Sequence, residues 1–366
     1  MPAFLASIGV AAAWLGIIEG VADGLSSFAK LASGIYTDRL QRRKPIAVAG
    51  YVVTAFGTAA FAFATNAWHV LAARASAWFG RGIRTPVRKA LLAAAVPRDA
   101  YGRAFGLERA MDTCGAIIGP LTALWLLHIT HHNYRLLFAC TIIPGLAAAA
   151  VIAFLVKERA RAAVSHISFT ERLRALPRSY RRFLVGVAVF GAGDFAHTML
   201  ILLAAQKLAP RYGVAGAASI AVALYVLHNV FYAGFSVIAG WVADRFRKQL
   251  VLAAGYALGG VMTLVIIVLP PTLLVVALVF IAGGIYVAVE ETLEDSLCAD
   301  LVRESHHGTA FGVLATVNGI GDFVSSIVVG ALWSAFGTAI AFTYSAVLFF
   351  TGAAIVSQVR AQPPTA

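Results

Sequence analysis

Apolar residues run along this chain in blocks too long and too uniform to be one face of a soluble helix, and short connectors carrying Pro, Gly, Asn or charge separate them. Eleven blocks stand out, at residues 11–36, 45–66, 68–95, 104–127, 134–156, 183–206, 217–242, 249–269, 273–300, 309–334 and 337–357. A helix needs roughly 20 mainly apolar residues to cross a hydrocarbon layer of about 30 Å, and it satisfies its own backbone hydrogen bonds on the way. The pattern therefore predicts an all-α polytopic membrane protein. Connectors such as Ala64-Thr65-Asn66 and Pro270-Pro271-Thr272 read as turns. One segment, 157–182, is long and polar, and it divides the chain into a five-span bundle at 1–156 and a six-span bundle at 183–366.

Composition agrees, since 60% hydrophobic residues against 13% charged leave too little polar surface for an aqueous fold. Charge supplies the orientation. With the basic loop at 38–44 placed inside, the inner segments hold 19 Lys and Arg, whereas the outer ones hold only Arg135, Lys207 and Arg211. The linker and C-terminus are then cytoplasmic, in the cell (inner) membrane. The net charge of +12 is a topology signal that needs no nucleic-acid partner, and the basic linker could also touch anionic lipid. Cys114, Cys140 and Cys298 are isolated, and His128, His131 and His132 fall in an outer loop without an acid or Cys nearby. Neither a disulfide, a metal nor a cofactor is expected.

The chain also repeats. Gly34-Ile35-Tyr36-Thr37-Asp38-Arg39-Leu40-Gln41-Arg42-Arg43-Lys44 returns as Gly240-Trp241-Val242-Ala243-Asp244-Arg245-Phe246-Arg247-Lys248, an offset of 206 residues. The same offset carries Gly102-Arg103-Ala104-Phe105-Gly106 onto Gly308-Thr309-Ala310-Phe311-Gly312. Two motifs sharing one shift indicate a duplicated half-protein, which is a transporter architecture. Met1 maps onto Lys207, so either a further helix belongs ahead of the first half, twelve in all, or the protein has eleven spans.

These residues resemble the major facilitator superfamily, whose signature loop Gly-x-x-x-Asp-Arg-x-Gly-x-Arg-Arg joins its second and third helices and recurs more weakly between the eighth and ninth. Gly34, Asp38, Arg39, Arg42 and Arg43 match the first copy, with Gln41 at the middle Gly. Gly240, Asp244, Arg245, Arg247 and Lys248 match the second. The resemblance implies two pseudo-symmetric helical bundles that work by alternating access, with these loops acting as a conformational switch. A glycine pattern in the fifth family helix resembles that of proton-coupled exporters: Gly106, Gly115, Gly119 and Pro120 fit, whereas Ala123 and Leu124 replace its final Gly-Gly. Gly115-x-x-x-Gly119 would give a flat packing face, and Pro120 removes a helical hydrogen bond and favours a bend. Close packing alone and an exporter's hinge are both open readings.

Ionisable residues at membrane depth normally face a partner or a watery cavity, so they are the site candidates. Glu19 and Asp23 lie i,i+4 on one helix, with Lys30 further along the same stripe. Proton coupling and pairing to Lys30 are competing accounts. Asp112 sits one turn before Gly115, and either exchanges protons, binds a cation or pairs with Arg109, Arg84 or Arg88. Asp194 and His197, i,i+3, form a third proton-handling pair, or a simply satisfied buried histidine. The basic set Arg84 and Arg88 shifts onto Glu290 and Glu294, with Glu291 and Asp295 alongside. The two sets either form a salt-bridge gate between halves or pair locally, the basic one with Asp38 or Glu108 and the acidic one with Arg245.

The expected protein is a monomeric secondary transporter in the lipid bilayer, handling protons and a small-molecule substrate, with export by proton antiport favoured. Uptake by a symporter or facilitator keeps the same fold, and a non-transporting membrane sensor or assembly subunit is a more distant reading. Neither a nucleotide-binding Gly-rich loop with Lys nor a nucleophile–His–acid grouping is found, so an ATP-driven pump or an enzyme is not expected.

Overall fold

A computed structural model of the chain describes Phe4 and residues 13–131, 133–158 and 176–359. Most of the expected linker, together with His132 and the C-terminal tail, lies outside the described residues. Helices follow the apolar blocks closely: α1 Ala13–Thr37, α2 Lys44–Ala59, α3 Ala67–Ala95, α4 Tyr101–Ile129, α5 Tyr134–Cys140, α6 Ile142–Leu155, α7 Arg178–Gly191, α8 His197–Ala243, α9 Lys248–Val268, α10 Leu273–Leu301, α11 His307–Phe336 and α12 Thr338–Ser357. By length and composition, eight of the helical stretches among the described residues can cross a membrane. Helices α1 and α3 match expected blocks but carry Glu19, Asp23 and Lys30, and Arg74, Arg81, Arg84, Arg88 and Lys89, which dilute their apolar character.

Local chemistry accounts for the boundaries. Pro45 opens α2, where a missing N–H costs nothing. The Asn133 and Thr272 side chains accept from the N–H groups of Leu136 and Val275, capping α5 and α10. Pro86 sits inside α3 without ending it. Its ring leaves the Gly82 carbonyl without a helical donor, and the Ser33 hydroxyl of α1 donates to that oxygen at 3.4 Å.

One expected span is broken. The block 183–206 forms α7 up to Gly191, a non-helical stretch at 192–196, and then the start of α8. The long helix α8 is itself two helices joined at Gly213, whose φ of 72° only glycine adopts without strain. Asp194 and His197 therefore do not share a helical face: Asp194 lies in the break and His197 opens the next helix.

By contact the chain forms two compact units. Unit 1 holds residues 1–95, 118–175 and 303–316; unit 2 holds 96–117, 176–302 and 317–366. In unit 1, α3 packs along both α1 and α2, and α2 packs on α6. Small residues allow this, since a Cβ at Gly57 would lie 2.6 Å from the Ala77 nitrogen and one at Gly80 would lie 2.7 Å from the Gly50 oxygen. In unit 2, α8 packs on α10, α9 on α10 and α12, and α12 on α7. A buried aromatic stack holds its centre, with Phe190 3.7 Å from Tyr256 and 4.5 Å from Phe349 between ring centroids.

Candidate functional site

The duplicated loops become two helix caps. In unit 1 the Asp38 carboxylate accepts from the N–H groups of Gly308 (2.9 Å) and Thr309 (2.7 Å), at the N-terminus of α11. In unit 2 Asp244 does the same for Gly102 (2.7 Å) and Arg103 (3.0 Å) at the start of α4. An anion at a helix N-terminus meets both unsatisfied donors and the positive end of the dipole. Close approach needs the glycines: a Cβ on Gly34 would overlap the Gly308 carbonyl oxygen, and one on Gly240 would overlap that of Gly102.

The loops' arginines are not equivalent. Arg43 is buried and holds Asp38 at 2.5 Å, whereas Arg39 and Arg42 are exposed. Arg245 is exposed too. Its guanidinium stacks on Trp241 at 3.6 Å, and Arg103 from α4 is the cation that holds Asp244, at 2.9 Å. Arg245 thus serves neither its own loop's aspartate nor the acidic set on α10.

That acidic set lies in the interior of unit 2 and gathers further groups from four helices. Arg109 of α4 pairs with Glu291 at 2.8 Å and reaches Asp295 at 3.6 Å. Tyr232 of α8 donates to the same Glu291 oxygen, and Tyr256 of α9 donates to Glu294. Asn318 of α11 donates its amide to Glu294 at 2.6 Å. Glu290, Glu294 and Asp295 are buried. Asp194 in the helix break joins them: Tyr286 donates to it at 2.9 Å, and Ser325 holds its carbonyl at 2.6 Å. Asp194 and Glu290 interact electrostatically with one another and with Asp322 and Glu294. Asp112 and Glu108 flank Arg109 in the same way, with Asp112 exposed on α4.

The arrangement assigns one tyrosine hydroxyl to each of three carboxylates. Nothing in the sequence motifs singles out Tyr232, Tyr256 or Tyr286, because a tyrosine in an apolar helix reads as core. His197 packs edge-on to His228, with ring centroids 4.9 Å apart, and His228 Nδ1 lies 3.2 Å from the Phe280 carbonyl, which fixes the hydrogen on that nitrogen.

Unit 1 places its candidates differently. Glu19 pairs with Arg74 at 2.6 Å rather than with Lys30, and Asp23 accepts from the Trp78 indole at 2.7 Å. Arg74 lies over the same indole, 3.3 Å from its centroid, so one aromatic ring organises both acids. The Arg84 guanidinium stacks 4.1 Å above Tyr51, and Arg88 is half-buried. The glycine pattern divides. A Cβ on Gly106 would overlap the Ser236 carbonyl oxygen, yet Gly115 and Gly119 have no neighbour within 4 Å of a Cβ, and α4 runs helical through Pro120. Among the described residues nothing packs on Gly115 or Gly119, and both are exposed together with Pro120.

A family model described as Major Facilitator Superfamily matches residues 1–209 and again 183–366. The chain belongs to the Major Facilitator Superfamily. It is a multi-pass membrane protein with the fold of a secondary transporter. An MFS-type transporter of Methanocaldococcus jannaschii is 27% identical over 351 residues, 95% of this chain and 86% of that protein. Multidrug resistance protein MdtH of Shigella boydii is 27% identical over 317 residues, 84% and 76% of the two chains. Among solved structures, the Major Facilitator Superfamily transporter FucP superposes with a TM-score of 0.74 at 18% identity, over 98% of this chain and 93% of that one. The human organic anion transporter MFSD10 superposes at 0.73 and 15% identity, over 96% and 87%.

Proposed function

We propose that this superfamily member exports a small organic cation in exchange for protons, and that the acidic cluster of unit 2 is where the two compete. The carrying observation is a gathering of carboxylates: Asp194 and Glu290 interact electrostatically with each other and with Glu294 and Asp322, beside Glu291 and Asp295, which Arg109 holds. Carboxylates gathered at membrane depth repel one another as anions. Protons or a bound cation each relieve that repulsion, and either can substitute for the other. That exclusivity is what an antiporter requires, since release of one load lets the other bind. The multidrug resistance name of the enterobacterial relatives agrees with export. Asp112, exposed one turn from Arg109, stands at the edge of the same charge field, whereas Glu19 and Asp23 are held by Arg74 and Trp78 in unit 1. Positive-inside bias puts the linker and C-terminus in the cytoplasm of the cell in whose inner membrane the protein sits.

Proteoliposomes with an imposed pH gradient test this, with ethidium as the cationic probe. Wild type is expected to move ethidium against the proton flow. Glu290→Gln and Asp194→Asn should abolish gradient-driven movement and leave ethidium counterflow partly intact. Driven transport unchanged in both variants would remove the cluster from the coupling mechanism, and ethidium moving with the protons would assign the opposite direction.

A further inference from the structure

We propose that an open cavity at one end of unit 2, lined by Arg178, Arg182 and Arg247, binds the phosphate of an anionic ligand, either a lipid headgroup or a free phosphate. The cavity is about 740 Å³ and is completed by Ser179, Ser357, Gln358 and Val359. It lies where α7 and α9 begin and α12 ends. Among the described residues no acidic residue lines it.

Three guanidiniums around one cavity repel one another unless something negative joins them. Among the described residues none of the three pairs with a carboxylate. Arg182 donates to the neutral Gln358 amide, and Gln249, with its amide turned to suit both groups, accepts from Arg247 Nε and Nη2 at 3.2 Å. Arg178 and Arg182 are i,i+4 on α7, so their side chains share a face and reach the same space. The first turn of α7 adds donors, because Pro177 precedes it and supplies no side-chain cap. Guanidinium forks and helix N–H groups are the donors that tetrahedral phosphate oxygens accept from.

The neighbouring cavity of about 670 Å³ sharpens the selection. Arg247 lines it as well, but there Arg98, Arg247 and Lys248 are matched by Asp99, Asp244 and Asp300. Of these two, the first carries the net positive lining. The surface beside it suits a lipid, for Val185, three residues after Arg182 on α7, is exposed and apolar. Occupancy would also hold Arg247, three residues after the capping Asp244.

The test uses the full-length protein in detergent, stripped of lipid and reloaded with phosphatidylglycerol or phosphatidylcholine, with retained lipid counted by native mass spectrometry. A parallel sample receives inorganic phosphate, and its unfolding midpoint is followed. Wild type should retain phosphatidylglycerol over phosphatidylcholine, and Arg178→Gln with Arg182→Gln should weaken that retention roughly thirtyfold. Both positions are exposed, so the double variant keeps its packing, and Arg211→Gln, an exposed arginine outside the cavity, should change nothing. Stabilisation by inorganic phosphate that is lost in the double variant, without a lipid preference, assigns the site to a free anion. Equal retention of both lipids with no response to phosphate overturns the proposal, as does full anion binding by the double variant.

Discussion

The Asp38 cap on α11 and the Asp244 cap on α4 are images under the 206-residue shift, yet their counter-charges come from opposite partners. Arg43, on the loop itself, serves Asp38; its image is Gln249. Arg103, on the capped helix, serves Asp244; its image is Thr309. Duplication kept the acid, the two accepted N–H groups and the glycine contact, while the cation changed sides. Burial changed with it. The Asp38–Arg43 side chains are 0% and 1% exposed, whereas Arg103 is 57% exposed over an Asp244 that is 5% exposed. One site is a sealed ion pair and the other is open to solvent on its cationic side.

The largest consequence should be at Asp38. Asp38→Asn takes the carboxylate from the charged, buried Arg43, a loss of about 3–5 kcal/mol, to be read from unfolding in detergent. Adding Arg43→Met should recover part of it, and a double variant no better than Asp38→Asn would break the assignment of the loss to the buried charge. Next come the shared glycines. Gly102→Ala and Gly308→Ala each push a Cβ into a carbonyl oxygen and should cost a similar amount, about 1–3 kcal/mol; unequal losses would place the difference between the caps in the backbone rather than the cation. The smallest effect belongs to Arg103→Gln, less than about 1 kcal/mol, and it should shrink further as salt is raised. A salt-independent loss there would make the second pair as sealed as the first.

Much of this was legible in the sequence, because the repeat registers backbone contacts. Aspartates and glycines that support a close helix approach recur at a fixed shift, and the apolar blocks fixed where helices run. The cations were legible only in part, for Arg43 is a motif residue and holds Asp38. Arg39, Arg42 and Arg245 stand in the motif, but they follow the end of a helix where the chain turns outward, so proximity in sequence does not bring them to the aspartate. Arg103 stands far from Asp244 in sequence and reaches it through the fold. The acidic set on α10 was visible as a run of charge, while its partners Arg109, Tyr232, Tyr256 and Asn318 come from four other helices. The break at 192–196 escaped because Gly191-Ala192-Gly193 is small and apolar, and hydropathy registers no loss of helix there.

The Asp38 cap also sets a clock on biogenesis. Its donors lie 270 and 271 residues downstream, so at about 5–20 residues per second a ribosome needs roughly 15–55 s after making Asp38 before Thr309 exists. For that interval the Gly308 and Thr309 donors are missing from Asp38, and unit 1 waits for residues 303–316. Asp244 waits for nothing, because Gly102 and Arg103 have already been made when it emerges.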